Sequence, residues 1–357
     1  MSPRDVNPQK NRIVVISDSH LGDRHSTLKK PRVVNKLIRE LNQGKKIDEL
    51  ILLGDILDLA FSTFKDVIRQ ARDFFDRISR LDIGKIVYVP GNHDYHIWLL
   101  HIEKKDVIEP IADESVPKLP DYISHFSGKE SFFSEVLPED LEEKFVIRYP
   151  NYEFQRGGIR YLLHHGHQVY GPCVLLMSPG EALREKKGLH DLLIANSPIL
   201  ELIYYHLERS EEMRNKLEKA WKKYGASGAI AVVIKELLDA RLPGPGKWMV
   251  HLIIKLWLQY TKKRIKRDRG TEIDEIENEI RDYLKLCGRD SENTVRFIFG
   301  HSHVPDGKKI DNNLTVVNAG SWLEEEGKEY NTYVLIEDSK LTVRKLGKKD
   351  PIFTTPP

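Results

Sequence analysis

Nine side chains in this 357-residue chain have the types and spacing to hold metal ions: Asp18, His20, Asp55, Asn92, His93, Asp94, His165, His301 and His303. They fall in five short blocks, Asp18-Ser19-His20, Gly54-Asp55, Gly91-Asn92-His93-Asp94, His165 within His-Gly-His, and Gly300-His301-Ser302-His303. Carboxylate and amide oxygens together with imidazole nitrogens, and no thiolate, suit Mn, Fe, Co, Ni or Zn better than Ca or Mg. The set is too large for one ion and about right for two. A carboxylate such as Asp55 can bridge two cations ~3.5–4 Å apart, the separation used in two-metal phosphoryl chemistry. The bland alternative is a series of turns with incidental polar residues. Polar groups packed into the mouth of a buried strand are costly, however, unless something there uses them.

The elements that must deliver these groups are visible in the hydrophobic pattern. Asn11 to Ser17, Leu50 to Leu53 and Ile86 to Val89 are short apolar runs that predict buried strands. Each ends in one of the polar blocks, and helices are predicted between them at Pro31 to Leu41 and Phe64 to Leu81. Strand, polar loop, helix, repeated, is the pattern of right-handed βαβ units, which bind ligands at the carboxyl ends of their strands. Alternation along a strand also lets Asp18 and His20 converge on one point.

Further along, 107–144 has a weak pattern. Lys144 to Arg148, Tyr152 to Gln155 and Ile159 to His164 predict strands, the last two joined by a turn at Gly157-Gly158. Thr294 to Phe299 and the end of Ile310 to Asn318 predict two more, and Asn331 to Ile336 with Lys340 to Lys345 an antiparallel pair.

Between the His165 and His301 blocks the character changes. Ser197-Pro198 reads as a helix start, 229–242 and 247–260 as further helices, and Thr271 with Asp274 as a capping box opening a helix that ends near Gly288. The expected architecture is therefore α/β, with a core of 1–170 and 291–357 and an all-helical insertion, or cap, over 171–290.

The five blocks, in this order and each after an apolar run, resemble the calcineurin-like metallophosphoesterase superfamily. The resemblance spans Asp18 to His303 and implies a sandwich of two sheets flanked by helices, with the site at one edge. It further implies that Asp18, His20 and His303 hold one divalent transition metal ion, Asn92, His165 and His301 a second, and that Asp55 bridges them. Manganese is the first expectation, with Fe, Zn, Ni or Co as alternatives. A water shared by two ions, its pKa brought from about 15.7 to roughly 7, would attack phosphorus in line. His93 would protonate the leaving oxygen, and Asp94 would orient His93 and raise its pKa. Among the neighbours, Asp58 is expected to cap or orient rather than to bind metal, His164 to point away, His167 to be either a support behind the ligands or, as favoured, a surface residue, and His25, His96 and His101 to be surface or rim residues. Asn318 is read as a support for the His301 loop or as a turn residue.

The implied activity is hydrolysis of a phosphoester, phosphodiester or pyrophosphate bond, on a phosphorylated small molecule or a lipid-linked or nucleotide-linked substrate. A loose likeness to the UDP-diacylglucosamine pyrophosphatases rests on their helical insertion between corresponding loops. That branch differs at the acid position, and the insertion here is longer. Within 247–269, Trp248, Met249, Leu252, Ile253, Leu256, Trp257 and Tyr260 crowd a nearly apolar helix, followed by Lys262, Lys263, Arg264, Lys266, Arg267 and Arg269. It reads either as a core helix of the cap with a solvated basic face, or as a peripheral membrane contact. A nuclease is the rival enzyme, because the basic run could track a phosphate backbone. A non-catalytic scaffold of the same fold is the non-enzymatic rival; the chain keeps every ligand and His93, which weighs against it.

Composition sets the remaining bounds. The net charge of +2 gives no global argument for nucleic acid or anionic membrane, which makes nucleic acid the weaker partner. Two distant cysteines, Cys173 and Cys287, form no metal or redox spacing. With no apolar run at Met-Ser-Pro-Arg-Asp and none of the ~20 residues a spanning helix needs, the expected location is cytoplasmic, or peripheral at the inner membrane face. The oligomeric state is left open.

Overall fold

The computed structural model describes residues 12–42, 45–116, 123–169, 176–201, 272–289, 294–325 and 327–355, with 216, 219, 232 and 235 besides. Apart from 232 and 235, the predicted helix at 229–242 lies outside the described residues, as do the one at 247–260, the basic run at 262–269, Thr271 and Cys173.

Two sheets carry the structure. The larger is built from β1 (Arg12–Ile16), β2 (Ile47–Leu53), β3 (Ile83–Val89), β4 (Ser124–Ser127), β5 (Phe145–Tyr149), β13 (Thr332–Glu337), β14 (Lys340–Lys345) and β15 (Phe353–Thr354). Its order is β15-β14-β13-β1-β2-β3-β5-β4. The smaller contains β6 (Asn151–Arg156), β7 (Ile159–His164), β8 (Val295–Phe299), β9 (Asp306–Lys309) and β10 (Leu314–Asn318), in the order β6-β7-β8-β10-β9. Both have a parallel centre with antiparallel margins. A separate hairpin pairs β11 (Glu324–Glu325) with β12 (Lys328–Glu329).

The central strands are apolar almost without interruption because both of their faces are covered. Val15, Ile51, Leu53, Val87 and Val89 of the large sheet meet Tyr161, Leu163, Ile298 and Val317 of the small one. On the opposite face, Val14, Ile16, Leu50, Leu52, Ile86 and Tyr88 pack against the helices Pro31–Leu41 and Phe64–Ile78. The first helix presents Val33, Val34, Leu37, Ile38 and Leu41 at helical spacing, and Pro31 at its start needs no hydrogen-bond partner there. Thr63 caps the second by accepting from the Asp66 amide. The outer face of the small sheet (Leu162, Phe297, Phe299, Leu314, Val316) is covered by Ile273, Ile276, Ile280, Tyr283 and Leu284 of the helix Glu272–Leu286. The result is four layers, helix, sheet, sheet, helix.

The first half of the chain and the closing strands follow the predicted pattern, with three differences. The helix expected to begin at Ser197-Pro198 begins instead at Leu189 and runs through Pro198 to Leu200. Proline leaves the Ile194 carbonyl without its i+4 amide, and the Ser197 hydroxyl donates to it at 3.2 Å, so the helix continues. The weakly patterned stretch 107–144 holds β4, a short edge strand antiparallel to β5, and an unpredicted helix, His96–Glu103, precedes it. Within that helix His96 is buried rather than at a rim, since it opens the turn that sends Ile97, Trp98 and Ile102 into the core.

Candidate metal centre

At the carboxyl ends of β1, β2 and β8 the chain enters strained backbone. Asp18 (φ 51°), His20 (φ 44°), Asp55 (φ 50°), His301 (φ 72°) and His303 (φ 67°) all adopt the left-handed region. Asp and His tolerate it better than most residues, yet each such position has a cost, and strain of this kind gathers at functional sites. The glycines in the blocks allow close approach. A Cβ on Gly54 (φ 74°) would run into the His165 ring, and one on Gly91 would run into the Asp55 carboxylate. The strand ends are tied together by the Asp18 amide donating to Gly54 O (3.1 Å), His20 to Asp55 O (2.9 Å) and Gly300 to His165 O (2.8 Å).

Six of the nine predicted side chains then form two adjoining groups. Ligand atoms of Asp18, His20 and His303 lie within 4.8 Å of one another, as do those of Asp55, His165 and His301. Asp55 stands between them, its Oδ2 3.1 Å from His165 Nε2 and 3.8 Å from His20 Nε2. Its Oδ1 accepts from the His93 amide at 2.8 Å. His303 Nε2 lies 3.5 Å from Asp18 Oδ1, and the His301 amide donates to both Asp18 oxygens at 3.0 Å. Asn92 is buried, and neither its side-chain atoms nor His20 Nε2 has a hydrogen-bond partner among the described residues. Orphaned buried groups of this kind call for a ligand. An all-oxygen and nitrogen donor set around them fits a divalent transition metal.

The electrostatics divide the histidines. Burial, then the neighbouring His93, pulls His20 down to about 3. Burial and His165 hold His301 well below the usual range. Burial acts the same way on His165 and His303, but carboxylates outweigh it: Asp55 and Asp18 push His165 up to about 10, and Glu325 and Asp18 push His303 up to about 9. Asp55 is opposed by its own burial, and the surrounding histidines nevertheless hold it well below the ordinary carboxylate range. Burial raises Asp18.

One predicted role is corrected. The carboxylate against the His93 ring is Asp58, with Nδ1 3.0 Å from its Oδ1, and not Asp94. Asp58 also accepts from the Phe61 amide (3.1 Å) and Ser62 Oγ (2.6 Å), so it both caps the following turn and orients the imidazole. Burial works against a charged His93, but Asp55 and Asp58 together hold it above the usual histidine value. Asp94 is turned into its own loop and accepts from Gly91 N (2.6 Å), Ile56 N (2.9 Å) and the Tyr88 hydroxyl. Burial and the Asp55 charge push its carboxyl up to about 6.

His167 is a second correction. It is buried, with the His164 ring 5.2 Å away and Tyr149 stacked at 6.5 Å, because Gly166 (φ 125°) folds the chain back. His164 points away from the ligand groups as predicted, onto Tyr283 of the covering helix (4.8 Å). His25 is exposed, and His101 is half-buried against Phe126. Asn318 fills both roles foreseen for it, donating to Ser302 Oγ at 2.6 Å in the His301 loop and accepting from Gly320 N at 2.8 Å. Glu325, whose Oε1 lies 2.7 Å from His303 Nδ1, escaped sequence reasoning because it stands in a polar hairpin with no periodic pattern.

A family model described as calcineurin-like phosphoesterase matches residues 11–220 of the chain. Solved structures similar to it include YfcE, a phosphoesterase from E. coli, at 11% identity and TM-score 0.38 over 96% of this chain and 98% of that one. A dimetal phosphatase from Danio rerio is 12% identical at TM-score 0.39, with the same coverage. At these scores neither likeness carries an argument about the site. No curated protein matches the chain.

Proposed function

Because the chain belongs to the calcineurin-like phosphoesterase family, we propose that the two ligand groups each hold one divalent transition metal ion and that a phosphoester, phosphodiester or pyrophosphate bond is hydrolysed between them. The observation that carries this reading is the position of Asp55, one carboxylate between two ligand groups, beside a buried Asn92 side chain with no hydrogen-bond partner among the described residues. Asp18, His20 and His303 would hold one ion, Asn92, His165 and His301 the other, and Asp55 both. When bound, two such ions would acidify a water and neutralise charge on the phosphoryl oxygens.

The chain's own residues supply the rest. His93 is buried, and its ring lies 4.7 Å from that of His20 at the edge of the ligand groups. With Nδ1 engaged by Asp58, the proton available to a leaving oxygen is the one on Nε2. Asp55 and Asp58 hold the ring above the usual histidine value, which favours its protonated form, as a general acid requires. The bond from the His93 amide to Asp55 Oδ1 fixes the acid relative to the shared carboxylate.

The finer substrate class rests on the sequence. We assign substrate selection to the segment 171–290, expected from its sequence to be a helical insertion, with an amphiphilic or nucleotide-linked phosphate favoured by the apolar and basic residues of 247–269. Manganese is the ion to try first. The family match supports no particular branch, and the lean toward the UDP-diacylglucosamine pyrophosphatases rests on the insertion alone.

The test is hydrolysis of aryl phosphate mono- and diesters by metal-stripped protein given Mn, Fe, Co, Ni or Zn in turn. Turnover with at least one of them, abolished by chelation, is expected. A folded protein inactive with all of them would sink the reading. Nucleotide-lipids and single-stranded DNA in the same panel separate an amphiphile hydrolase from a nuclease, and liposome flotation at varied anionic lipid content tests the membrane contact.

A further inference from the structure

The imidazole of His303 is gripped from its outer side. Its Nδ1 lies 2.7 Å from Glu325 Oε1, while its Nε2 faces Asp18 Oδ1 at 3.5 Å. Glu325 comes from the short hairpin β11–β12, which turns at Gly327 (φ 77°). That hairpin is fastened to the loop that follows His20. The Glu324 amide donates to His25 O at 3.0 Å, Leu323 bridges to Ser26, and the Lys30 ammonium reaches Glu324 Oε2 at 3.0 Å and Glu329 Oε1 at 2.9 Å. The carboxylate is therefore carried to the ring by a braced piece of backbone.

We propose that Glu325 is the positioning residue for His303. By accepting the Nδ1 proton it fixes the tautomer and rotation in which Nε2 offers its lone pair to the ion shared with Asp18 and His20. This rests on the metal reading above. A histidine that binds a metal nearly always donates its other ring N–H to a carboxylate, a carbonyl or water, and that partner is worth roughly 10–100-fold in metal affinity. The second ligand group meets the same need differently, since His165 Nδ1 lies 3.0 Å from the Leu53 backbone carbonyl. One support is backbone in the buried core, where the His165 side chain has no exposure. The other is a side chain, 43% exposed, beside an imidazole 22% exposed. The supports of His165 and His303 can thus be altered separately, and that of His303 is a replaceable side chain.

The experiment titrates Mn²⁺ into metal-stripped, full-length wild type, Glu325→Ala, Glu325→Gln and Glu324→Ala, with stoichiometry and affinity read by calorimetry and folding by circular dichroism. In Glu325→Ala one ion should bind as in wild type and the other about 10–100-fold more weakly. Glu325→Gln, whose amide oxygen can still accept from Nδ1, should recover most of that loss. Glu324→Ala loosens the same hairpin by removing a Lys30 ion pair and should bind both ions as wild type does. The inference is overturned if Glu325→Ala binds both ions normally, weakens both alike, or is matched by Glu324→Ala. Wild type that fails to take two ions would instead overturn the metal reading itself.

Discussion

Replacing Asp94 by alanine separates a supporting carboxylate from an orienting one. In the structure this side chain accepts from the amides of Gly91 (2.6 Å) and Ile56 (2.9 Å) and from the Tyr88 hydroxyl, with the Leu57 amide more distant at 3.4 Å. Asp94 and Tyr88 are both fully buried, so water cannot replace the lost acceptor without rearrangement. Each buried donor left unmet costs about 1–3 kcal/mol. Three of them place the loss at roughly 3–9 kcal/mol, a large part of the 5–15 kcal/mol typical of whole domains. Asp94→Ala should therefore shift urea unfolding strongly and loosen the Gly91-Asn92-His93 loop. Tyr88→Phe, which removes one hydroxyl and leaves the two amide bonds, should cost only about 1 kcal/mol. Chemical denaturation with both variants measures this directly. If Asp94→Ala unfolded like wild type yet lost turnover, the carboxylate would be acting on His93 and the assignment made from its bonds would be wrong.

Three further outcomes follow from the same geometry. His93→Ala should keep both ions, measured by elemental analysis, and lose roughly 10²–10⁴ in kcat, the usual range for a general acid, with a smaller loss on substrates whose leaving group needs no proton. Asp58→Asn removes one of the two carboxylates that hold His93 above its ordinary value, so the alkaline limb of the pH–rate profile should move to lower pH; an unmoved limb would contradict the pairing. In metal-stripped protein near neutral pH, His165 (about 10) and His303 (about 9) carry protons that an ion must displace, so calorimetry in buffers of different ionisation enthalpy should register proton release. Affinity should then rise about tenfold per pH unit for each proton until those values are passed, and a flat dependence would refute it.

The sandwich was legible because its central strands are buried on both faces where they approach the site, which writes them as apolar runs such as Ile13 to Ile16 and Ile86 to Val89, each stopped by a polar block. The ligand groups were legible for the same reason: parallel strands bring their carboxyl ends to one edge. What stayed hidden depends on contacts distant in sequence or on surface strands without a pattern. Asp94 is adjacent to His93 in the chain, but the turn aims it backward, and Asp58 reaches the ring from the neighbouring strand's loop. The burial of His167 is set by the backbone at Gly166, which composition does not reveal. Glu325 lies 22 residues beyond His303, in a hairpin whose only signals are charge and one glycine. Ser197-Pro198 resembles a helix start because proline is favoured there, and only the serine hydroxyl's bond to Ile194 shows how the helix passes through.

The chain is a metal-dependent phosphoric ester hydrolase of its family, and the central claim concerns where its ions sit. Anomalous diffraction at the manganese edge from Mn²⁺-loaded crystals tests that claim most directly. Two peaks are predicted, one among Asp18, His20 and His303, the other among Asn92, His165 and His301, with the Asp55 carboxylate between them. A single peak, or peaks that leave Asp55 or Asn92 outside the coordination, would contradict the account.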